Sequence, residues 1–339
     1  MVRAADRGSL TAVTMPPRRL VAVLLLLLFW LPGATAEPGI DLPGFPSFGR
    51  PPVLVAATGD PDPPGDHIGI LSPAQLARAV VQHRLLPALE RMRLDALLAF
   101  VPAPAQGYVL KAFAAGHSLT ELTAFAYAIA GRDVEWLRTR LSPVDPHEAG
   151  PVHFRGYLIR QYDDTSCGST VIVVAHAMAD PIFALQLTTG GTVGTDDTGE
   201  HFLDRLKAEE QRVHGATNLV WPQIIGTPPW GVRDQMNQAS VGIGGRYQWT
   251  VIQDWVAGPT DAVLRQALLA VGHGYPVPVL IGDAVPRHYV LLVNHTRAGA
   301  LFYEPTGGAI VPVPEDALRR RDFSLLGFAH ITGAIVPRW

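Results

Sequence analysis

The chain holds one cysteine, Cys167, in 339 residues, and its only lysines are Lys111 and Lys207. A lone cysteine excludes an intramolecular disulfide, so the thiol is either a small buried hydrophobe or a chemical group, and its context has to decide. Charge is scarce as well, with 17% charged residues and a formal net charge of -3. A nucleic-acid binder needs a concentrated basic face to displace counterions from phosphates, and none is visible, so no nucleic-acid partner is expected. The twelve histidines include no pair with convincing ligand spacing, which argues against a metal site; no cofactor is expected either. The stretch Gly190-Gly191-Thr192-Val193-Gly194 lacks the Lys-Ser/Thr ending of a phosphate loop and reads as an ordinary loop. There is no internal repeat.

What is present begins with an export pattern. Arg18 and Arg19 precede an apolar run from Leu20 to Leu31, followed by Pro32, Gly33 and the small-residue site Ala34-Thr35-Ala36. The run is too short to span a bilayer comfortably and ends in a small-x-small site, so residues 1–36 read as a signal peptide cleaved after Ala36. The mature chain is expected at the cell surface, in the envelope or secreted, with no membrane span after cleavage.

Residues 37–66 are dense in proline and glycine and read as a linker. At Ser72 the pattern changes: Ser72, Pro73 and Gln75 form a capping box, and Leu76, Val80, Leu85, Leu89, Met92 and Leu97 follow near helical spacing, with a kink expected at Pro87. Ser118 and Glu121 form a second box ahead of Leu122, Phe125 and Ile129, and a shorter helix carries Trp136 and Leu137 towards Pro143. Residues 67–150 therefore form a small helical unit, and a second domain is expected over 151–339. Within it, 201–213 and 261–271 read as helices, and 277–281, 288–294, 301–303 and 310–313 as short strands, an α+β plan with an antiparallel sheet. The position of the helical unit suggests either a shield over the cleft or a fixed structural accessory.

The chemically informative segment is Gln161-Tyr162-Asp163-Asp164-Thr165-Ser166-Cys167-Gly168. The thiolate is the competent nucleophile, and a helix N-terminus favours negative charge, so a helix opening at Cys167 behind a Thr165 or Ser166 cap activates it. Gln161 can set its side-chain NH₂ beside the Cys167 backbone N–H as an oxyanion donor pair. Against this, Val171-Ile172-Val173-Val174 is β-branched and by propensity alone reads as a strand. His288 opens an apolar strand and suits a general base, and Glu304, before Pro305 at the end of the next strand, suits the acid that orients it; Asn294 is the alternative orienter. Trp221, Trp230, Trp249 and Trp255 lie between nucleophile and base, as core residues or as walls of a cleft.

Gln161 with Cys167-Gly168, Gly274-Tyr275-Pro276-Val277, His288-Tyr289-Val290 and Tyr303-Glu304-Pro305 together resemble the bacteriocin-processing branch of papain-type cysteine peptidases, over roughly residues 155–315. The resemblance implies a papain-like fold, with a helix led by the cysteine packed on an antiparallel sheet. It implies Cys167 as nucleophile, His288 as base, Glu304 as orienter and Gln161 as oxyanion donor, acting on a peptide or protein substrate. The family usually has Asp where this chain has Glu304. Hydrolysis of a peptide or related amide is the leading expectation; acyl transfer to an amine, as in transglutaminase-like enzymes, and an exported binding protein that keeps the fold without turnover are the rivals.

Overall fold

The computed structural model describes residues 69–191, 198–218, 226–252, 257–283 and 285–338, all within one compact unit. The expected signal peptide, the linker, Trp221 and Trp255 lie outside them. Among the described residues five helices come first: α1 (Pro73–Leu85), α2 (Ala88–Phe100), α3 (Ala103–Ala115), α4 (Leu119–Ile129) and α5 (Val134–Leu141). Both capping boxes form, with Ser72 accepting from the Gln75 N–H and Ser118 from that of Glu121. Pro87 does more than kink a helix. Proline pushes the residue before it out of the helical region, and Leu86 is extended (φ -64°, ψ 143°), so one expected helix becomes two. Sequence reading missed α3, although Pro102 precedes it and left-handed Gly116 (φ 102°) closes it.

The chain then enters a sheet through β1 (Gly150–Pro151), turns in a small hairpin of β2 (His153–Phe154) and β3 (Tyr157–Leu158), and forms α6 (Cys167–Ala179), α7 (Pro181–Thr189), α8 (Gly199–Thr217) and α9 (Pro229–Met236). After β4 (Arg246–Val251) and α10 (Ala257–Gly272) come β5 (Val277–Gly282), β6 (Pro286–Thr296), β7 (Gly299–Glu304), β8 (Ala309–Pro314), α11 (Glu315–Arg320) and β9 (His330–Arg338). The seven-stranded sheet runs β1-β8-β7-β6-β5-β9-β4, with every neighbouring pair antiparallel. The four expected strands fall inside β5 to β8. The last strand, β9, inserts between β5 and β4, and seven of its residues from Ile331 to Pro337 are buried in a row. A strand covered on both faces shows no alternation, so its pattern does not separate it from a buried helix.

Two apolar layers sandwich the sheet. Tyr289, Leu291 and Val293 of β6 meet Cys167, Val171 and Val174 of α6 on one face, while Val290 and Leu292 meet Leu264, Ala267 and Val271 of α10 on the other. This alternation follows from the two-residue period of a strand. The same burial settles the identity of α6, whose residues from Cys167 to Ala175 are all buried. Helix formation costs a β-branched residue up to about 0.7 kcal/mol relative to alanine, whereas burying such a side chain contributes roughly 1.5–3 kcal/mol. Packing wins.

The helical unit has its own core around Leu94, Val109, Leu122 and Ile129, which also takes in Leu185 of α7. It docks at the C-terminal end of α6: Gln75 Nε2 donates to the Ala179 carbonyl at 3.0 Å, and His117 Nε2 lies 2.8 Å from Asp180 Oδ2. Twelve residues of helix, about 18 Å at 1.5 Å per residue, separate these contacts from Cys167. The helical unit also reaches the turn after α10, where the Ala74 N–H donates to the His273 carbonyl at 2.9 Å. Among the described residues no single helix is long and apolar enough to cross a membrane.

Candidate active site

Cys167 is the first residue of α6 and is 5% exposed. Ser166 occupies the cap position, but its side chain does not cap the helix. The hydroxyl turns back to donate to the Asp163 carbonyl at 3.0 Å, and Thr165 bonds Asp163 Oδ1 through both its N–H and its hydroxyl. The expected capping by Thr165 or Ser166 is therefore replaced by a self-bonded turn, built by the Asp-x-Thr spacing that lets a carboxylate accept from the backbone two residues on. Burial works against the charge on Asp163, yet the bonds from Thr165 and Ser166 outweigh it and hold the carboxyl below its ordinary range. With the cap side chain engaged elsewhere, the first-turn N–H groups of α6 receive no bond from it and have no partner inside the helix.

His288, on β6, is 8% exposed. Its Nε2 lies 2.8 Å from Glu304 Oε1, leaving Nδ1 as the ring nitrogen for Cys167, whose interaction also acts on the imidazole. Burial disfavours its charge, but the bonds to Cys167 and Glu304 prevail and raise it to about 9. Glu304 moves the other way. Burial disfavours its anion, and the bonds from His288, from the Gly307 N–H (2.6 Å) and from the Thr306 N–H (2.8 Å) pull it down to about 2. A carboxylate gripped by two backbone N–H groups has a fixed orientation, which it passes to the imidazole. Near neutral pH the arrangement is an imidazolium beside the Cys167 sulfur, itself seated on a carboxylate.

Asn294 lies six residues along β6 from His288, about 20 Å at 3.3 Å per residue. Its side chain is 2.8 Å from His147 Nδ1 and accepts from the His295 N–H. Of the two orienters considered, only Glu304 touches His288.

Gln161 joins the nucleophile turn to the acid turn. Its N–H donates to the Pro305 carbonyl (2.9 Å), its Oε1 accepts from Thr306 Oγ1 (3.4 Å), and its Nε2 donates to the Asp163 carbonyl (2.8 Å). One amide hydrogen is therefore engaged within the turn, and the amide carries a second.

Sequence reading missed three neighbours of the site. Thr227 lies so close to Gly168 that a Cβ there would stand 2.5 Å from Thr227 Cβ, so glycine after the nucleophile is a packing requirement. The Phe328 ring centroid is 6.1 Å from that of His288. Glu210 of α8 is wholly buried beneath α6. None has a local signal, because each is brought in from a distant part of the chain. Trp249 packs against the core beneath the sheet. Among the described residues no cluster of His, Cys, Asp or Glu could hold a metal ion.

Compared with protein-family models, with curated proteins and with solved structures, the chain matches none.

Proposed function

We propose that the protein is an exported thiol hydrolase with a papain-like arrangement, cleaving peptide or related amide bonds through an acyl-thioester on Cys167. One observation carries the reading: His288 interacts with Cys167 and is hydrogen-bonded to a carboxylate, with the sulfur at the start of a thirteen-residue helix. A neighbouring imidazolium and a helix N-terminus are the two influences that make a cysteine react as thiolate.

In this reaction the Cys167 sulfur attacks the amide carbonyl carbon, and the carbonyl π pair moves to oxygen. The oxyanion takes hydrogen bonds from the first-turn N–H of α6 and from the second hydrogen of the Gln161 amide. As the tetrahedral centre collapses, the C–N bond breaks and His288 Nδ1 gives its proton to the leaving amine. Neutral His288 then takes a proton from water, whose oxygen attacks the thioester. The acid product leaves and the thiolate-imidazolium pair is restored. Glu304 keeps Nε2–H bonded throughout and stabilises the imidazolium; it does not itself carry the proton.

The test is the rate of Cys167 alkylation across about pH 4 to 9 in wild type and in His288→Ala. Fast reaction well below the free-thiol value of about 8.5, lost in the variant, is expected. A rate that rises only near that value, and equally in both proteins, would remove the basis for catalysis and favour a binding protein.

A further inference from the structure

Glu210 is a buried acid beneath the nucleophile helix that the reaction above does not use. It is 0% exposed, and its Oε1 lies 2.7 Å from Thr170 Oγ1, one turn into α6. Thr170 Oγ1 in turn lies 2.9 Å from the carbonyl of Ser166, the residue that opens α6 and immediately precedes Cys167. A hydroxyl has one hydrogen, so it serves either the carboxyl or the carbonyl. Which one depends on whether Glu210 carries a proton.

The surroundings answer this. Glu210 Oε2 makes no hydrogen bond. Around the carboxyl stand Tyr162 and Asp163 from the nucleophile turn, Tyr303 from β7, and His214 one turn along α8, which burial keeps towards its neutral form. From α7 no acid or base faces it, and in α9 Arg233 pairs with Asp234 at the surface. The nearest charge is therefore Asp163, an anion. A buried carboxylate that has only the Thr170 hydroxyl and the Tyr162 N–H as partners, and no cation, is the costly form, and the neutral acid avoids that cost. Burial, which the bond to Thr170 and the Tyr162 N–H oppose and which Asp163 reinforces, pushes Glu210 up to about 8.

We infer that Glu210 is a positioning residue that works as a neutral acid: its O–H donates to Thr170 Oγ1, whose own hydrogen is thereby sent to the Ser166 carbonyl, bracing the turn that presents Cys167. The positioning role rests on the Cys167–His288 reading; the protonation state does not. Loss of the proton frees Thr170 to turn onto the carboxylate and leaves the Ser166 carbonyl to its bonds from the Thr170 N–H and Ser169 hydroxyl.

The experiment uses the full chain. At about pH 6.5, well above the ordinary carboxyl value of about 4.3, the infrared spectrum of the wild type is expected to show the C=O band of a protonated carboxyl that fades towards pH 9 and is absent from Glu210→Gln. Thr170→Val, which removes the acceptor, is expected to shift the band. In parallel, wild type is expected to lose stability relative to Glu210→Gln as pH rises from 4.5 through about 8, because the folded state holds a proton that the unfolded state has released. Glu210→Ala is expected to slow Cys167 alkylation roughly tenfold at about pH 6, as loss of one or two buried hydrogen bonds allows, and Glu210→Gln to restore most of it.

Absence of the band with a flat stability difference overturns the neutral acid, and should Glu210→Gln not fold, the wild-type band and its pH dependence decide the matter alone. A band that Thr170→Val leaves unshifted overturns the relay. Equal alkylation in Glu210→Ala and wild type overturns the positioning role. If instead wild-type alkylation is slow and indifferent to His288→Ala, the active-site reading fails, while the band and the stability slope still test the protonation of Glu210.

Discussion

His288 and Glu304 meet across 2.8 Å, the histidine near the start of β6 and the acid at the end of the adjacent β7, with Glu304 held from behind by the N–H groups of Thr306 and Gly307. The longer arm of glutamate, compared with aspartate, is accommodated because the turn after β7 folds back onto the carboxylate.

This pairing gives stability a defined pH window. The folded value of Glu304 is depressed to about 2, so its contribution is present above about 4.5 and is lost as pH falls through 2. The folded value of His288 is raised to about 9, so its contribution is full below about 6.5 and is lost as pH rises through 9. Between about 4.5 and 6.5, Glu304→Gln is expected to cost on the order of 2 kcal/mol, with the gap closing on both sides. Urea denaturation of both proteins from pH 3 to 9 measures it, and a pH-independent gap would contradict the assignment.

Gln161→Ala separates oxyanion stabilisation from thiol activation. Turnover of a peptide amide is expected to fall by roughly 10²-fold or more, while the alkylation profile of Cys167 stays that of the wild type. If alkylation falls in step with turnover, Gln161 acts by holding the turn, through its side-chain bonds to Asp163 and Thr306.

Gly168→Ala places a methyl group 2.5 Å from Thr227 Cβ and 2.6 Å from its hydroxyl. Overpacking of this kind costs about 1–3 kcal/mol. The double variant Gly168→Ala/Thr227→Gly is expected to recover most of that loss in thermal unfolding. No recovery would mean that the strain arises elsewhere.

Asp180 ties the helical unit to the rest of the molecule. It is 2% exposed, caps α7 through the Ile182 N–H at 2.9 Å, and meets His117 Nε2 at 2.8 Å. Burial opposes its charge, but His117 and His176 hold it down to about 2. Asp180→Asn keeps an acceptor for the cap and removes the charge that faces these histidines and buried Lys111. A loss of about 3 kcal/mol near pH 5 is expected. It should shrink as pH rises beyond the ordinary histidine value, since His117 is raised by this contact and gives up its proton there. A loss that does not vary with pH would assign the effect to capping alone.

Tyr303→Phe removes the hydroxyl that donates to the Ile159 carbonyl at 2.7 Å and leaves that buried oxygen without its bond. A cost of about 1–3 kcal/mol is expected in chemical denaturation. Because Ile159 leads into the Gln161 turn, slower Cys167 alkylation should accompany it.

The helical unit was legible wherever local chemistry writes the signal. The boxes at Ser72 and Ser118 need only neighbours three residues apart, and both formed. The break at Leu86 was half legible: proline announced a disturbance, and its restriction of the residue before it, which puts Leu86 in an extended conformation, made it a full break. The late strand β9 and helix α3 were passed over because all-round burial erases the periodicity that marks an exposed face.

By itself the sequence determined that no intramolecular disulfide could form, that two capped helices begin at Pro73 and Leu119, and that Cys167, His288 and Glu304 come in an order suited to nucleophile, base and orienter. Only the tertiary structure decided that Val171 to Val174 are helical, that Glu304 and not Asn294 reaches His288, and that Ser166 turns away from the helix it opens. Capping and chain order act between near neighbours or are written directly in the chain. Helix against strand, and one acceptor against another, are settled by how much surface is buried and which side chains the sheet brings within hydrogen-bonding distance, and both depend on residues far apart in the chain.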